Sequence, residues 1–192
     1  MTTVAIVYHS GYGHTAVAAQ SVADGVASAG ATPVLLKIEG LTQNFDSLVE
    51  EATKADAIIF GSPTYMGDVS APLKAFFEAS SKVWFTLGWK DKIAGGFTNG
   101  LTVGGNKDNT LGSMIVLAMQ HGMIWVGTGL PPGNYEGNSK AAPEALNRMS
   151  YSLGAVTQSD NAAPEVTPPA GDKETAKLYG ARVATIAARL KA

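Results

Sequence analysis

The chain has 192 residues, of which 45% are apolar and 16% charged, and its formal net charge is −2. This composition predicts one packed domain over residues 1–192 and argues against nucleic acid as a partner and against membrane insertion. With no cysteine in the sequence, disulfides, thiolate nucleophiles and cysteine metal sites are excluded. We find no segment resembling a signal peptide, so we expect a cytoplasmic protein.

The first predicted strand is the apolar run at residues 4–8, which is bounded like a buried strand. A turn rich in glycine and hydroxyl groups follows at residues 10–15, and apolar residues at helical spacing then begin at Ala19. A strand, a short turn and a helix N-terminus together favour an anion site. The reason is that the first helical turn has free N–H groups and the helix dipole adds partial positive charge.

No Lys or Arg lies in this turn, so we expect backbone N–H groups to hold a phosphate there. The hydroxyls of Ser10 and Thr15 can donate further hydrogen bonds, and His14 is the local cation. Gly11 and Gly13 form a lone G-x-G, which matches neither the dinucleotide fingerprint nor the P-loop. The alternative is an ordinary turn between a strand and a helix.

Apolar runs and helical periodicity alternate along the rest of the chain. Further strands are predicted at residues 32–38, 57–60, 92–97 and 123–126, with a brief return to the sheet edge at 153–156. Helices are predicted at residues 45–54, 72–81, 110–121 and 172–191. The pattern predicts an α/β fold with a doubly wound, five-stranded parallel sheet, and a flavodoxin-like strand order 2-1-3-4-5 is favoured over a Rossmann order. A glycine- and proline-bearing insertion at residues 128–149 has no assigned role.

Ligands of such sheets bind beyond the carboxyl ends of the strands, so the loops at that edge carry the functional prediction. The loop at residues 61–67 contains Pro63, Tyr65 and Met66, which suit contact with a flat ring. The loop at residues 98–106 offers backbone N–H groups and small hydroxyls for the polar edges of such a ring. Together with the first turn, these loops predict one binding site.

Four motifs carry a family resemblance: Ser-x-Tyr-Gly-His-Thr at residues 10–15, Gly-Ser-Pro-Thr-Tyr-Met-Gly at 61–67, Asn-Gly-Leu-Thr-Val-Gly-Gly at 99–105 and His-Gly at 121–122. In order and spacing they resemble the WrbA-type NAD(P)H:quinone oxidoreductases of the flavodoxin superfamily, over nearly the whole chain. The resemblance implies non-covalent FMN, with its phosphate in the first loop and its ring between the next two. The implied cofactor-binding residues are Ser10, Gly11, Tyr12, Gly13, His14, Thr15, Ser62, Pro63, Thr64, Tyr65, Met66, Gly67, Thr98, Asn99, Gly100, Gly104, Gly105 and His121.

The resemblance also implies an enzyme that passes two electrons from NAD(P)H to quinones, by ping-pong hydride transfer through flavin N5. It places His121 near the flavin as the catalytic residue, a possible proton donor to a quinone oxygen. From the sequence alone, a histidine that completes the end of the preceding helix is the alternative. Tyr12 and Trp84 are the implied substrate-binding residues, since either ring could stack on a quinone.

Three large aromatic residues, Trp84, Phe85 and Trp89, lie within a predicted loop between a helix and the fourth strand. Leaving so much aromatic area in water is costly, so we expect either packing within the chain or a subunit contact. Family members bring such aromatics together beside the flavin, and the resemblance therefore favours a homodimer or homotetramer. Dimer and tetramer are not distinguished.

One departure concerns Tyr65, because the family often has Arg there, and its loss removes a cation that could meet a pyridine nucleotide phosphate. The histidines lack metal-binding spacing, so no metal site is expected. The second functional class is a flavodoxin-type electron carrier or an FMN-binding regulatory module without NAD(P)H turnover. Acidic surfaces mark many such carriers, and the near-neutral charge of this chain favours the enzyme. NADH and NADPH remain alternatives, and the physiological acceptor is open.

Overall fold

Strands and helices alternate through the parts of the chain that the computed structural model describes, residues 1–133 and 142–191. Residues 134–141 of the predicted insertion lie outside the described residues. The strands are β1 (Thr3–His9), β2 (Thr32–Ile38), β3 (Ala57–Tyr65), β4 (Asp68–Val69), β5 (Ile93–Gly100), β6 (Ile124–Trp125) and β7 (Ala155–Gln158). The helices are α1 (His14–Ser28), α2 (Phe45–Lys54), α3 (Ala71–Ala79), α4 (Ser81–Phe85), α5 (Lys107–Gln120) and α6 (Ala170–Lys191).

The main sheet has the order β2-β1-β3-β5-β6, and all of its neighbouring strands are parallel. Counted over the five predicted strands this is the order 2-1-3-4-5, so the flavodoxin-like prediction is confirmed. Two short strands add to it. β4 forms a hairpin with β3, and β7 pairs in parallel with β5, which confirms the predicted return to the sheet edge.

The fifth position of the sheet is shared by two strands. β6 pairs with Ile93 and Ala94 at the start of β5, whereas β7 pairs with residues 97–100 at its end. The chain leaves the sheet after β6 and returns at β7. The carboxyl end of β5 is therefore flanked by β3 on one side and by β7 on the other.

Helices cover both faces of the sheet, which is why its strands are apolar without alternation. Residues 4–7 of β1 are fully buried, with α1 and α6 on one face and α2, α3 and α5 on the other. α1 and α6 lie almost backbone to backbone. A Cβ atom on Gly25 would lie 1.8 Å from the Lys177 carbonyl oxygen, and one on Gly180 would lie 2.1 Å from that of Val22.

Some element bounds differ from the prediction. β3 continues past residue 60 to Tyr65, because it pairs with β5 as far as Pro63 and then with β4 through Thr64 and Tyr65. Most of the predicted loop at residues 61–67 is therefore strand. Gly61 permits this, since the Phe97 ring occupies the space where a Cβ atom would lie.

The predicted aromatic loop is also different, because its first part is the short helix α4. Trp89 is fully buried and stacks on Phe76 with ring centroids 6.3 Å apart, so it belongs to the core. Trp84 and Phe85 remain exposed, at 39% and 79%. Over residues 1–133 and 142–191, no helix is long and apolar enough to span a membrane.

Candidate functional site

A pocket of about 490 Å³ opens at the carboxyl edge of the sheet, which is where the sequence predicted a ligand site. Its volume lies within the usual range for small-molecule sites, roughly 300–1,000 Å³. The lining residues among the predicted set are Tyr12, His14, Thr15, Pro63, Thr64, Tyr65, Asn99 and Gly100. The lining residues that sequence reasoning missed are Leu101, Ser159, Asp160, Asn161 and Ala162.

The first wall of the pocket is the turn between β1 and α1. The Ala16 N–H donates to Ser10 Oγ at 3.1 Å, which caps one of the free donors of the first helical turn. The N–H groups of His14 and Thr15 also belong to that turn and have no partner within the helix. With the helix dipole behind them, these donors form a site for a phosphate.

Glycines let this turn pack closely against its neighbours. Gly13 has a φ of 91°, and a Cβ atom there would lie 2.9 Å from Pro164 Cγ. A Cβ atom on Gly11 would lie 2.3 Å from the Tyr65 hydroxyl oxygen. The two glycines are therefore needed to bring the turn against the loop before α6 and against the end of β3.

His14 links the turn to the loop at residues 159–162, which lines the opposite side of the pocket. Its Nε2 lies 2.8 Å from the Ala162 carbonyl oxygen, and because a carbonyl only accepts, Nε2 carries a proton. His14 is a cation only when Nδ1 is protonated as well. In the neutral form it contributes a hydrogen bond between the two walls and leaves the Nδ1 lone pair free to accept.

A cluster of threonine hydroxyls lies under the second wall. Thr64 Oγ1 lies 2.8 Å from Thr98 Oγ1 and 2.9 Å from Thr110 Oγ1, and Thr98 Oγ1 donates to the Ser62 carbonyl oxygen. Thr98 and Thr110 are fully buried. These bonds hold the Thr64 side chain, which lines the pocket, in one orientation.

Asn99 presents an amide donor to the pocket. It is 5% exposed, and its Oδ1 accepts hydrogen bonds from Thr157 Oγ1 at 2.8 Å and from Ser159 Oγ at 2.9 Å. Both bonds use the amide oxygen, so the Nδ2 group is left as the donor available to a ligand. This is the arrangement that would recognise a carbonyl or ring nitrogen.

The missed residues form one loop, 159–162, directly after β7. Since β7 ends at the same edge as β5, the predicted return to the sheet at residues 153–156 was the signal that could have located it. A buried ion pair holds the base of this loop. Arg148 Nε donates to Asp172 Oδ1 at 2.7 Å, and the Gln158 N–H donates to Asp172 Oδ2 at 2.7 Å.

Several predicted cofactor residues do not line the pocket. Ser62 and Thr98 are fully buried, and Ser62 Oγ donates to the Pro63 carbonyl oxygen and accepts from the Ser70 N–H. These two residues position the wall and present no group to its surface. The remaining predicted residues that the structure places outside the pocket lining are Ser10, Gly11, Gly13, Met66, Gly67, Gly104 and Gly105.

His121 lies at the opposite edge of the sheet, away from the pocket of its own chain. α5 begins near the pocket and runs back to the amino edge, where His121 follows its last residue. Its Nε2 lies 2.9 Å from Ser80 Oγ, and its ring centroid lies 4.3 Å from that of Trp89. The side chain is 2% exposed, and burial lowers its pKa to about 4.

Trp84 is also at the amino edge, since α4 follows the end of α3. It therefore does not line the pocket of its own chain, whereas the other predicted substrate residue, Tyr12, does. Over residues 1–133 and 142–191, no group of three or more His, Asp or Glu side chains is placed to hold a metal ion.

The residues at the pocket fit FMN. Helix donors and a glycine cradle match a phosphate, the Asn99 amide matches a polar ring edge, and two tyrosines offer flat apolar surface. Tyr12 and Tyr65 lie edge to face, with ring centroids 6.4 Å apart. The fold and the site together define the class of flavodoxin-like flavoproteins.

Comparison with known proteins identifies the family. The model of the NADPH-dependent FMN reductase family matches residues 10–132, and the chain belongs to that family. Flavodoxin FldP of Pseudomonas aeruginosa is 41% identical over 192 residues, covering 100% of both chains. An NAD(P)H dehydrogenase (quinone) of Archaeoglobus fulgidus is 31% identical over 99% of this chain and 100% of its own.

A solved structure agrees with these relatives. The flavodoxin, WrbA-like protein from Agrobacterium tumefaciens is 40% identical, with a TM-score of 0.74 over 98% of this chain and 99% of that chain. The predicted WrbA-type resemblance, the flavodoxin-like fold and the FMN cofactor are thereby confirmed. The protein is an FMN-dependent oxidoreductase.

Proposed function

We propose that this protein passes two electrons from NAD(P)H to quinones, with FMN held in the pocket at the carboxyl edge. The observation that carries the proposal is the meeting of the α1 N-terminus, the Asn99 amide and the Tyr12 and Tyr65 rings in one pocket. Relatives named NAD(P)H dehydrogenase (quinone), about 30% identical over nearly the whole chain, support the choice of donor and acceptor.

Each wall would hold one part of the cofactor. The backbone N–H groups of His14 and Thr15 would bind the phosphate, with the Thr15 hydroxyl as a further donor. Asn99 Nδ2 would donate to a polar edge of the ring, and Tyr12 and Tyr65 would flank its faces. When bound, FMN supplies the hydride and electron chemistry, while the protein orients it and tunes its electronics.

The phosphate assignment is tested with Thr15→Val. Thr15 is 2% exposed, and the substitution keeps its shape while removing its hydroxyl. A lost hydrogen bond to a charged group should weaken FMN by about 1.5–3 kcal/mol, while riboflavin, which has no phosphate, should be nearly unaffected. Fluorescence titration of both ligands makes the measurement, with Thr185→Val on the surface of α6 as the matched control. Equal losses for FMN and riboflavin would reject the assignment.

Turnover should be ping-pong, because donor and acceptor would use the same pocket in turn. Double-reciprocal plots of NAD(P)H oxidation at several quinone concentrations should then be parallel. Intersecting lines would indicate a ternary complex and a separate nicotinamide site.

The second candidate function is electron carriage without NAD(P)H turnover. It is favoured by the 41% identity to Flavodoxin FldP over the whole chain and by Tyr65, which stands where Arg is often found in the quinone reductases it resembles. NAD(P)H oxidation with benzoquinone and added FMN separates the two. A carrier would bind FMN and accept electrons from a chemical reductant, yet would leave NAD(P)H unoxidised.

We also infer a homo-oligomer in which the amino edge of one chain meets the pocket of another. Trp84 and Phe85 lie edge to face with ring centroids 5.0 Å apart, and both are exposed at the edge opposite the pocket. Only a second copy could bring Trp84 to a flavin. His121, at 2% exposure, is too buried to make such a contact without a rearrangement.

Trp84→Ala should lower quinone turnover and loosen the assembly in sedimentation while leaving FMN affinity nearly unchanged. Leu35→Ala is the matched control, since Leu35 is also 39% exposed but lies on the edge strand β2. A wild-type monomer with FMN bound and full quinone reductase activity would refute the assembly.

A further inference from the structure

Lys107 is a buried charge that the site as described above does not use. It is the first residue of α5 and is fully buried. Burial is unfavourable for an ammonium group, and so is the N-terminus of a helix, where the dipole already adds positive charge. Because both effects disfavour the ammonium group, Lys107 needs hydrogen-bond acceptors that offset them.

Those partners are in the loop that follows β5. Lys107 Nζ donates to the carbonyl oxygens of Thr102 and Val103, the second at 3.3 Å. A trans peptide directs its C=O and N–H in opposite senses. With both carbonyls turned inward to the ammonium, the N–H groups of Val103 and Gly104 point away from the core.

The same lysine lies directly behind the pocket wall. A Cβ atom on Gly100 would lie 3.2 Å from Lys107 Cε and 3.9 Å from Nζ, and Gly100 lines the pocket. The backbone of Gly100, at the end of β5, therefore lies between the positive charge and the ligand space. Of the other charged groups acting on Lys107, Asp172 on α6 opposes its charge and Arg148 adds to it.

We propose that Lys107 is a positioning residue of the flavin site, which shapes the loop at residues 101–106 and places a positive charge behind the ring. The inference rests on the proposed FMN site. A charge in this position stabilises a more negative flavin over a neutral one, because Lys107 is fully buried and water screens its charge little. Lys107 should therefore favour reduced over oxidised flavin as well as hold the loop.

The experiment compares Lys107→Met with Lys92→Met. Lys92 is a matched control, since its Nζ also donates to two backbone carbonyls, those of Thr53 and Ala55, but at the amino edge. FMN affinity is measured by fluorescence titration, and the midpoint potential of bound FMN by spectroelectrochemistry. Lys107→Met should weaken oxidised FMN about tenfold and reduced FMN about a further tenfold, a fall of about 30 mV for a two-electron couple. Lys92→Met should change neither.

A loop-holding role alone would weaken both redox forms equally and leave the potential unchanged, which would overturn the charge part of the proposal. Unchanged affinity in Lys107→Met, or equal effects of the two substitutions, would overturn it entirely. A wild-type protein that does not bind FMN would instead reject the proposed function.

The pH dependence of the midpoint potential provides a second test. Burial lowers the pKa of Lys107 to about 8. The charge is present below that pH and lost above it, so the midpoint potential should fall more steeply with pH above 8 in wild type than in Lys107→Arg, which stays charged. Identical profiles would contradict the proposal, as would a wild-type profile without a break if neither variant folds.

Discussion

The amino edge and the carboxyl edge of the sheet both carry hydrogen-bonding groups, but the partners of those groups differ. At the amino edge, Asp56 accepts hydrogen bonds from the Thr3 N–H and from Lys191, and Lys92 donates to two carbonyls. At the carboxyl edge, helix N–H groups and the Asn99 amide face a pocket instead. These polar groups of the amino edge bond to one another, whereas the carboxyl edge leaves donors for a ligand.

The difference follows from the direction of the chain. In parallel α/β units the helix N-termini gather at the carboxyl edge, and their free N–H groups favour anions. The helix C-termini gather at the amino edge, where His121 and Trp84 lie. A histidine placed there packs within its own chain, and this is why a motif near the end of α5 does not line the pocket of that chain.

The largest expected difference between the edges concerns their ion pairs. Arg148→Met should lower the free energy of unfolding by about 3–5 kcal/mol, because it leaves the buried Asp172, at 1% side-chain exposure, without its cation. Lys191→Met should cost at most about 1 kcal/mol, since its pair with Asp56 is exposed. Urea unfolding measures both, and equal costs would contradict the contrast.

A smaller effect is expected at the two ends of α1, which carry a matched pair of glycines. Gly13 and Gly30 have φ values of 91° and 77°, so alanine at either should cost about 1–2 kcal/mol of stability. A Cβ atom at Gly13 would also meet Pro164, whereas nothing lies within 4 Å of one at Gly30. Gly13→Ala should therefore raise the Kd for FMN about tenfold or more, equal to about 1.4 kcal/mol.

Gly30→Ala is the control for backbone strain alone. It should change the Kd for FMN by no more than about twofold, which is less than about 0.5 kcal/mol because a tenfold change equals about 1.4 kcal/mol. Loss of FMN binding in both variants would mean that backbone strain, and not the shape of the phosphate turn, decides affinity.

The smallest expected effect at neutral pH is the one contributed by His121, and it grows as the pH falls. Its pKa is lowered to about 4 in the folded state, against about 6.5 in the unfolded chain. Between these values the unfolded state binds more protons, so the free energy of unfolding falls as the pH falls from 6.5 to 4. The slope from one group is at most about 1.4 kcal/mol per pH unit.

His121→Phe should flatten this slope while leaving quinone turnover unchanged, as urea titrations at several pH values and a steady-state assay would show. A large loss of turnover with FMN still bound would restore His121 as a functional residue. Such a loss would also indicate that a neighbouring subunit brings it to the flavin.

Much of the fold could be predicted because apolar runs and helical periodicity are local signals. The predicted bounds of β2 and α2 agree with the structure to the residue. The extension of β3 could not be predicted, since Gly61 and Pro63 are typical of a loop. Pairing with β5 and with β4 makes that segment a strand.

The pocket could be predicted in part for the same reason. The turn at residues 10–15 combines local signals of strand, glycine and helix start. The loop at residues 159–162 has only ordinary turn residues after a four-residue strand, and its place at the pocket depends on a long-range pairing. His121 was predicted from the resemblance, which does not specify the chain whose flavin it would contact.

Because β6 and β7 share the fifth position of the sheet, the protein could be divided into two fragments between these strands. A cut between residues 133 and 142 would leave β1 and the phosphate turn on one piece, and β7, the loop at residues 159–162 and α6 on the other. Reassembly would require β7 to dock beside β5 and α6 to pack on α1. Because FMN would contact both pieces, its binding should drive their association. Such a pair of pieces would then act as a fragment-complementation sensor for flavin.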